Sequence, residues 1–250
     1  MQDPRQAATR SPAPLLSVVV PVRNEATNIL PLIEEIGQAL RGVAHEIVYV
    51  DDGSTDATPA ELRAAAQTQP NLILRRHRTS CGQSAAVITG VRTAVGEWIA
   101  TLDGDGQNDP ADIPKLLDRA LADPQAAMTL YAGHRTSRRD SRVKRVSSLV
   151  ANRVRAGLLG DATPDTGCGL KLFRRAAFLE LPHFDHMHRF LPALFMRAGG
   201  LVCSVPVNHR PRLRGRSNYG TLDRLMVGLV DLVGVAWLQR RWRRPDLEAL

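Results

Sequence analysis

The sequence predicts an α/β chain built on a mostly parallel sheet flanked by helices, and three observations predict it. Short apolar runs rich in Val, Ile and Leu recur at intervals of roughly 25–30 residues, as strands buried on both faces do. Amphipathic stretches of helical length fill the gaps, the pattern of right-handed crossovers between parallel strands. Polar clusters follow the strands at the ends where ligands of such sheets bind.

The first strand is expected over Leu15–Val22, followed by a helix from Glu25 to Leu40. Glu46–Val50 reads as the second strand. The helix after it, Thr58 to Gln67, opens on Thr58-Pro59-Ala60-Glu61, a capping box with proline at the first helical position. Leu72–Leu74 and Trp98–Leu102 complete the set of strands, with a helix from Gln83 to Val95 between them. Three strand ends carry polar clusters: Pro21-Val22-Arg23-Asn24-Glu25, Asp51-Asp52-Gly53-Ser54-Thr55-Asp56 and Asp103-Gly104-Asp105-Gly106-Gln107. In a parallel sheet all three converge on one crevice.

Residues 1–14 are polar and proline-rich without the apolar core of a signal peptide, so a flexible leader is expected there. Residues 15–220 read as one domain, although the basic stretch from Arg135 to Arg155 marks a change in character. In the extension, 221–250, Leu222, Leu225, Met226, Leu229, Leu232, Val233, Ala236 and Trp237 recur at spacings of three and four, an amphipathic helix. It runs into Gln239-Arg240-Arg241-Trp242-Arg243-Arg244, a composition suited to an anionic membrane surface; an ordinary core-facing helix with a basic tip is the other reading. Asp223, Arg224 and Asp231 interrupt its apolar run, so no membrane span is expected. Attachment would then be peripheral, at the cytoplasmic side of a membrane.

Composition excludes several classes. At 44% hydrophobic and 23% charged residues the chain is globular, not disordered. Cys81, Cys168 and Cys203 are odd in number and far apart, which argues against a disulfide framework and a zinc site. The net charge of +8 calls for a polyanionic partner. With 4% aromatic residues and no helix-turn-helix or zinc-finger pattern, nucleic acid is a poor candidate, and phosphorylated substrate or membrane a better one. No GxGxxG follows the first strand, and no P-loop motif occurs.

Asp103 and Asp105 lie two residues apart, so in an extended segment both carboxylates can face one cation, and Gly104 and Gly106 allow close backbone approach to a ligand. Oxygen ligands favour Mg²⁺ or Mn²⁺, which bridge phosphates; the plain alternative is an acidic, glycine-rich turn. An EF-hand fails, because Asn108 and Pro114 stand where it needs glycine and glutamate. Asp51 and Asp52 can accept from a base or ribose, whereas Asp51 or Asp56 can equally cap a turn or the next helix.

Together these segments resemble the family 2 glycosyltransferases of GT-A (Rossmann-like) fold, in particular their polyprenyl-phosphate, dolichol-phosphate mannosyltransferase-like branch. The resemblance rests on Val18–Glu25, Val50–Asp56, Asp103–Pro110, Gly133-His134-Arg135, Asp165–Lys171 and His188–Pro192, in that order along the chain. It implies that Pro21, Arg23, Glu25 and Asp52 bind the nucleotide of a UDP- or GDP-sugar. It further implies that Asp103, Asp105 and Gln107 sit at the diphosphate, with Asp103 and Asp105 as ligands of Mg²⁺ or Mn²⁺. Arg135 and Arg145 look like clamps on the acceptor phosphate, and Arg212 with Ser217 looks like a contact to the donor phosphates. A solvated basic face is the alternative for these arginines. Asn218 stands where family members often carry lysine.

The resemblance implies an inverting transfer of sugar to an undecaprenyl- or dolichyl-type phosphate. Such an acceptor is already anionic and needs no general base; positioning and charge stabilisation suffice. A saccharide or lipid hydroxyl acceptor would need a carboxylate base, and Asp165, before a glycine pair, is the candidate, with a plain turn residue after Pro164 as the other reading. A non-catalytic nucleotide-sugar or lipid-phosphate binding module is the remaining alternative.

Overall fold

The computed structural model describes residues 13–135, 155–161, 163–211 and 221–241. Four strands form at the expected places: β1 (Leu16–Val22), β2 (His45–Asp51), β3 (Leu72–Arg76) and β4 (Trp98–Thr101). Between them run α1 (Ile29–Ala39), α2 (Thr58–Ala66) and α3 (Gln83–Thr93), and α4 (Ile113–Leu121) follows β4. The second half adds β5 (Thr129–Arg135), β6 (Lys171–Arg174), α5 (Arg175–Leu179), α6 (Leu191–Arg197), β7 (Leu201–Val207) and α7 (Thr221–Arg240).

The strands make one seven-stranded sheet in the order β3-β2-β1-β4-β6-β5-β7. It is mostly parallel, as expected, except that β6 runs antiparallel to both β4 and β5. That reversal brings the start of β6 to the carboxyl end of β4, with Thr101 opposite Lys171.

Side-chain alternation in β1 divides the core between the faces of the sheet. Val18, Val20 and Val22 join one cluster with Ile29, Ile33 and Ile36 of α1, while Val19 joins the other with Ala86, Val87 and Val91 of α3. The buried positions of α1, Ile29, Leu32, Ile33 and Ile36, repeat at three and four, which is why this stretch is a helix packed on the sheet.

Two local readings need correction. Glu25 does not open the first helix: a 3₁₀ turn at Ala26–Asn28 precedes α1. Thr58 does not form a capping box, because it lies inside α2 and its Oγ1 accepts from the Glu25 backbone N–H at 2.9 Å. Asp56 takes the capping role instead, accepting from the Thr58 N–H at 2.9 Å.

In α7 the apolar residues whose side chains are described are not all buried. Leu232 and Val235 are buried, whereas Leu229, Val230, Val233 and Trp237 are exposed. Hydrogen bonds tie the helix end to the body: Arg197 Nε donates to the Leu238 carbonyl at 3.0 Å, and Gln239 Nε2 to the Leu159 carbonyl at 2.9 Å and the Ala193 carbonyl at 3.4 Å. Among the described residues no helix is long and apolar enough to cross a membrane. The expected leader lies almost wholly outside the described residues.

Candidate active site

The carboxyl ends of β1 and β4 and the start of β6 enclose a cleft of about 570 Å³. Pro21, Arg23, Glu25, Asp52, Asp103, Asp105, Gln107 and Arg135 all line it, so the three polar strand ends do converge. Arg145, Arg212, Ser217 and Asn218 fall outside the described residues.

Asp103 is half-buried where the chain leaves β4. Gln83 Nε2, at the start of α3, donates to its Oδ1 at 2.8 Å. Burial raises the Asp103 carboxyl above the usual carboxylate range, and repulsion from Asp105 adds to it; Lys171, Gln83 and Arg135 offset part of this. Gly169 presses on the same group: a Cβ there would stand 2.2 Å from Asp103 Oδ2, so only glycine leaves the carboxylate its place. Gly104 lines the cleft and also packs on β1, where a Cβ would lie 2.3 Å from Val22 Cγ1. Asp105 Oδ1 accepts from the Gln107 N–H at 3.1 Å, which tightens the loop. Two half-buried, mutually repelling carboxylates with oxygen donors alone fit a hard divalent cation such as Mg²⁺ or Mn²⁺.

Asp52 is built differently. His77 Nδ1 (2.7 Å) and the Cys81 N–H (2.8 Å) meet its Oδ1; Ser80 Oγ (2.7 Å) and the Gly82 N–H (2.9 Å) meet its Oδ2. Burial raises this carboxyl, but the four hydrogen bonds outweigh it and hold it below its ordinary value. A carboxylate has about four acceptor positions, and all are taken here by the loop after β3. Asp52, His77 and Cys81 also form the one group of three candidate metal ligands found among the described residues, their ligand atoms within 4.8 Å of one another. His77 Nε2 is engaged by Thr89 Oγ1 at 2.9 Å, so this trio is a hydrogen-bonded knot with its ligand atoms already used. Asp51 acts as a turn cap, its Oδ1 accepting from the Ser54 N–H at 2.9 Å.

Asp165 and Arg135 form a two-pronged ion pair: Nε donates to Oδ2 at 2.6 Å and Nη2 to Oδ1 at 2.7 Å. A guanidinium forked onto a carboxylate fixes both planes. Three further groups in the cleft wall received no role from the sequence reading, although Lys171 and His188 stand in segments that carry the family resemblance. Gln83 opens a helix that reads as ordinary. Lys171 is buried at the start of β6 and donates to the Cys168 carbonyl; a charge inside the apolar run Leu170–Phe173 was its signal. His188, in a 3₁₀ turn at Met187–Arg189, pairs through Nδ1 with Ser84 Oγ at 2.7 Å.

A cleft of paired carboxylates and cations at a parallel-sheet switch point is a place for phosphates. The family model for glycosyl transferase family 2 matches residues 17–181. The chain belongs to this family. Its similarity extends to dodecaprenyl-phosphate galacturonate synthase of Rhizobium johnstonii, 35% identical over 240 residues that cover 92% of this chain and 69% of that protein. Undecaprenyl-phosphate 4-deoxy-4-formamido-L-arabinose transferase of Pseudomonas paraeruginosa is also 35% identical, over 228 residues, 89% of this chain and 65% of that one. The chain thus spans about two thirds of these relatives' length. Among solved structures the fold resembles a Pyrobaculum calidifontis mannosyltransferase in complex with GDP-Man and Mn²⁺, with a TM-score of 0.65 and 22% identity over 94% of this chain and 67% of that one. It also resembles glucosyl-3-phosphoglycerate synthase of Mycobacterium tuberculosis in complex with Mg²⁺ and UDP, with a TM-score of 0.68 and 20% identity over 90% of this chain and 79% of that one. The protein is a family 2 glycosyltransferase of GT-A fold.

Proposed function

We propose that this glycosyltransferase moves a sugar from a UDP- or GDP-sugar onto a polyprenyl phosphate, with inversion at the anomeric carbon. The observation that carries the acceptor class is the Arg135–Asp165 pair. The carboxylate that a hydroxyl acceptor would need as base is engaged on both oxygens by the Arg135 guanidinium. Arg23, Arg135, Lys171 and Arg189 line the same cleft, cations of the kind that bind phosphate oxygens. The names of the relatives point the same way.

In this reading Asp103 and Asp105 hold Mg²⁺ or Mn²⁺, which when bound supplies Lewis-acid charge to the leaving diphosphate. Pro21, Arg23, Glu25 and Gln107 border the donor, and Asp52 shapes the loop beside it. Arg135, held by Asp165, grips the acceptor phosphate, whose oxygen attacks without a base. Arg145, Arg212 and Ser217 keep their proposed phosphate contacts. Residues 15–220 form the catalytic domain. The exposed stripe Leu229, Val230, Val233 and Trp237, with Arg240 and Arg241 at its end, supports a peripheral seat for 221–250 on the anionic cytoplasmic face of a membrane.

The test is transfer from UDP- and GDP-sugars to undecaprenyl phosphate in detergent with Mg²⁺ or Mn²⁺, comparing wild type and Asp165→Asn. Expected are a sugar-phospholipid product and, in the variant, a KM for the lipid phosphate raised about tenfold with kcat reduced far less, because a charged hydrogen-bonded pair has been weakened. A collapse of kcat at unchanged KM would restore the base role. Absence of product with every donor would favour a binding module.

A further inference from the structure

His188 borders the cleft and Ser84 is its hydrogen-bond partner, yet neither has a task in handling phosphates. Ser84 is 1% exposed in the first turn of α3, and His188 lies 104 residues further along the chain. Their side chains meet at 2.7 Å, and the His188 backbone N–H donates to the same Ser84 Oγ at 3.2 Å. A hydroxyl that accepts from that N–H still has its own proton to give, and Nδ1 is the acceptor beside it. When the hydroxyl gives its proton to Nδ1, the imidazole hydrogen resides on Nε2.

The ring is also uncharged. Burial pushes its pKa down to about 3, with Arg189, Lys171 and His186 adding repulsion. His188 therefore adds to the cleft an uncharged ring N–H, a donor of a different kind from its arginines and lysine. His188 lines the main cleft and also a small cavity of about 20 Å³ beneath it, shared with Gln83, Val87, Asp103, Lys171 and Leu191. Val87 and Leu191 supply apolar surface and Gln83 and His188 uncharged polar groups, a mixture that suits the C–H faces and hydroxyl edges of a sugar ring. The place is next to Asp103, where the diphosphate and hence the attached sugar are held in the reading above.

We propose that His188, oriented by Ser84, donates its Nε2–H to a hydroxyl of the transferred sugar and so helps set which sugar is accepted. This rests on the nucleotide-sugar reading of the cleft. A site built to hydrogen-bond a hydroxyl discriminates against sugars that lack it or place it elsewhere, because the donor is then left unpaired.

Titration calorimetry of wild type, His188→Ala and His188→Gln against UDP, GDP and a panel of UDP- and GDP-sugars with Mn²⁺ tests it. Expected for His188→Ala is about tenfold weaker binding of the preferred nucleotide sugar, the loss of one hydrogen bond, with the parent nucleoside diphosphate unchanged within about twofold. His188→Gln, which keeps an N–H donor, should recover part of the loss, and Ser84→Ala should mimic a weaker His188→Ala. Equal loss for the nucleotide sugar and its parent nucleotide, or loss for neither, would overturn the proposal. Wild type that binds no nucleotide or nucleotide sugar would overturn instead the reading beneath it.

Discussion

At the end of β2, Asp52 is met by four donors from a single loop; at the end of β4, Asp103 receives one side-chain donor, Gln83, and faces the repulsion of Asp105. Burial acts on both carboxyls in the same direction, yet the hydrogen bonds drive Asp52 down while Asp103 stays raised. The first is a finished structural joint. The second is an unbalanced charge arrangement that an added cation would complete. The difference teaches that a carboxylate at a ligand-facing strand end earns a chemical role from what its neighbours leave undone.

Asp103→Asn should produce the largest effect: transfer falls about 10²–10³-fold, as when a group stabilising transition-state charge is removed. Thermal stability without metal should hold or rise, since one of two repelling carboxylates is neutralised. Turnover assays beside melting curves with and without Mn²⁺ check both parts; full activity in this variant would break the contrast.

Asp52→Asn should show the opposite profile. Replacing an acceptor of four hydrogen bonds by an amide, which offers acceptors on one atom alone, should cost about 2 kcal/mol in denaturant unfolding, with activity following the folded fraction. Weakened UDP or GDP binding at unchanged stability would make Asp52 a direct nucleotide contact and erase the distinction.

Acid sensitivity sharpens the comparison by a smaller margin. His188 has a folded pKa of about 3, below the ordinary 6.5, so the unfolded chain binds more protons between those values. Its contribution to stability is complete above pH 6.5 and lost as pH falls toward 3. His188→Gln should therefore flatten the decline in melting temperature over that window. A decline identical to wild type would place the acid sensitivity elsewhere, for instance at Asp52, whose contribution is lost only as pH drops below the ordinary carboxylate range.

Much of the site was legible in the residues. The positions of β1, β2, β3 and β4 follow from their apolar runs, and Pro21, Asp103, Asp105 and Gln107 lie in the cleft because parallel strands place their carboxyl ends together. The capping box at Thr58 misled, since the same Ser/Thr-x-x-Glu spacing cannot reveal that the Glu25 N–H competes for the hydroxyl from 33 residues away. Gln83 and Ser84 were silent for a similar reason: nothing local distinguishes them from any polar start of a helix.

The sequence by itself determined the α/β class, the order of the early elements and the existence of an acidic, glycine-rich loop after β4, because periodicity and strand-end chemistry are local properties. Tertiary structure alone decided how the partners are assigned. Antiparallel insertion of β6 carries Lys171 and Gly169 to Asp103, the loop after β3 saturates Asp52, Arg135 closes on Asp165 across 30 residues and Ser84 finds His188 across 104. Such pairings depend on distance in space, which a one-dimensional pattern does not encode.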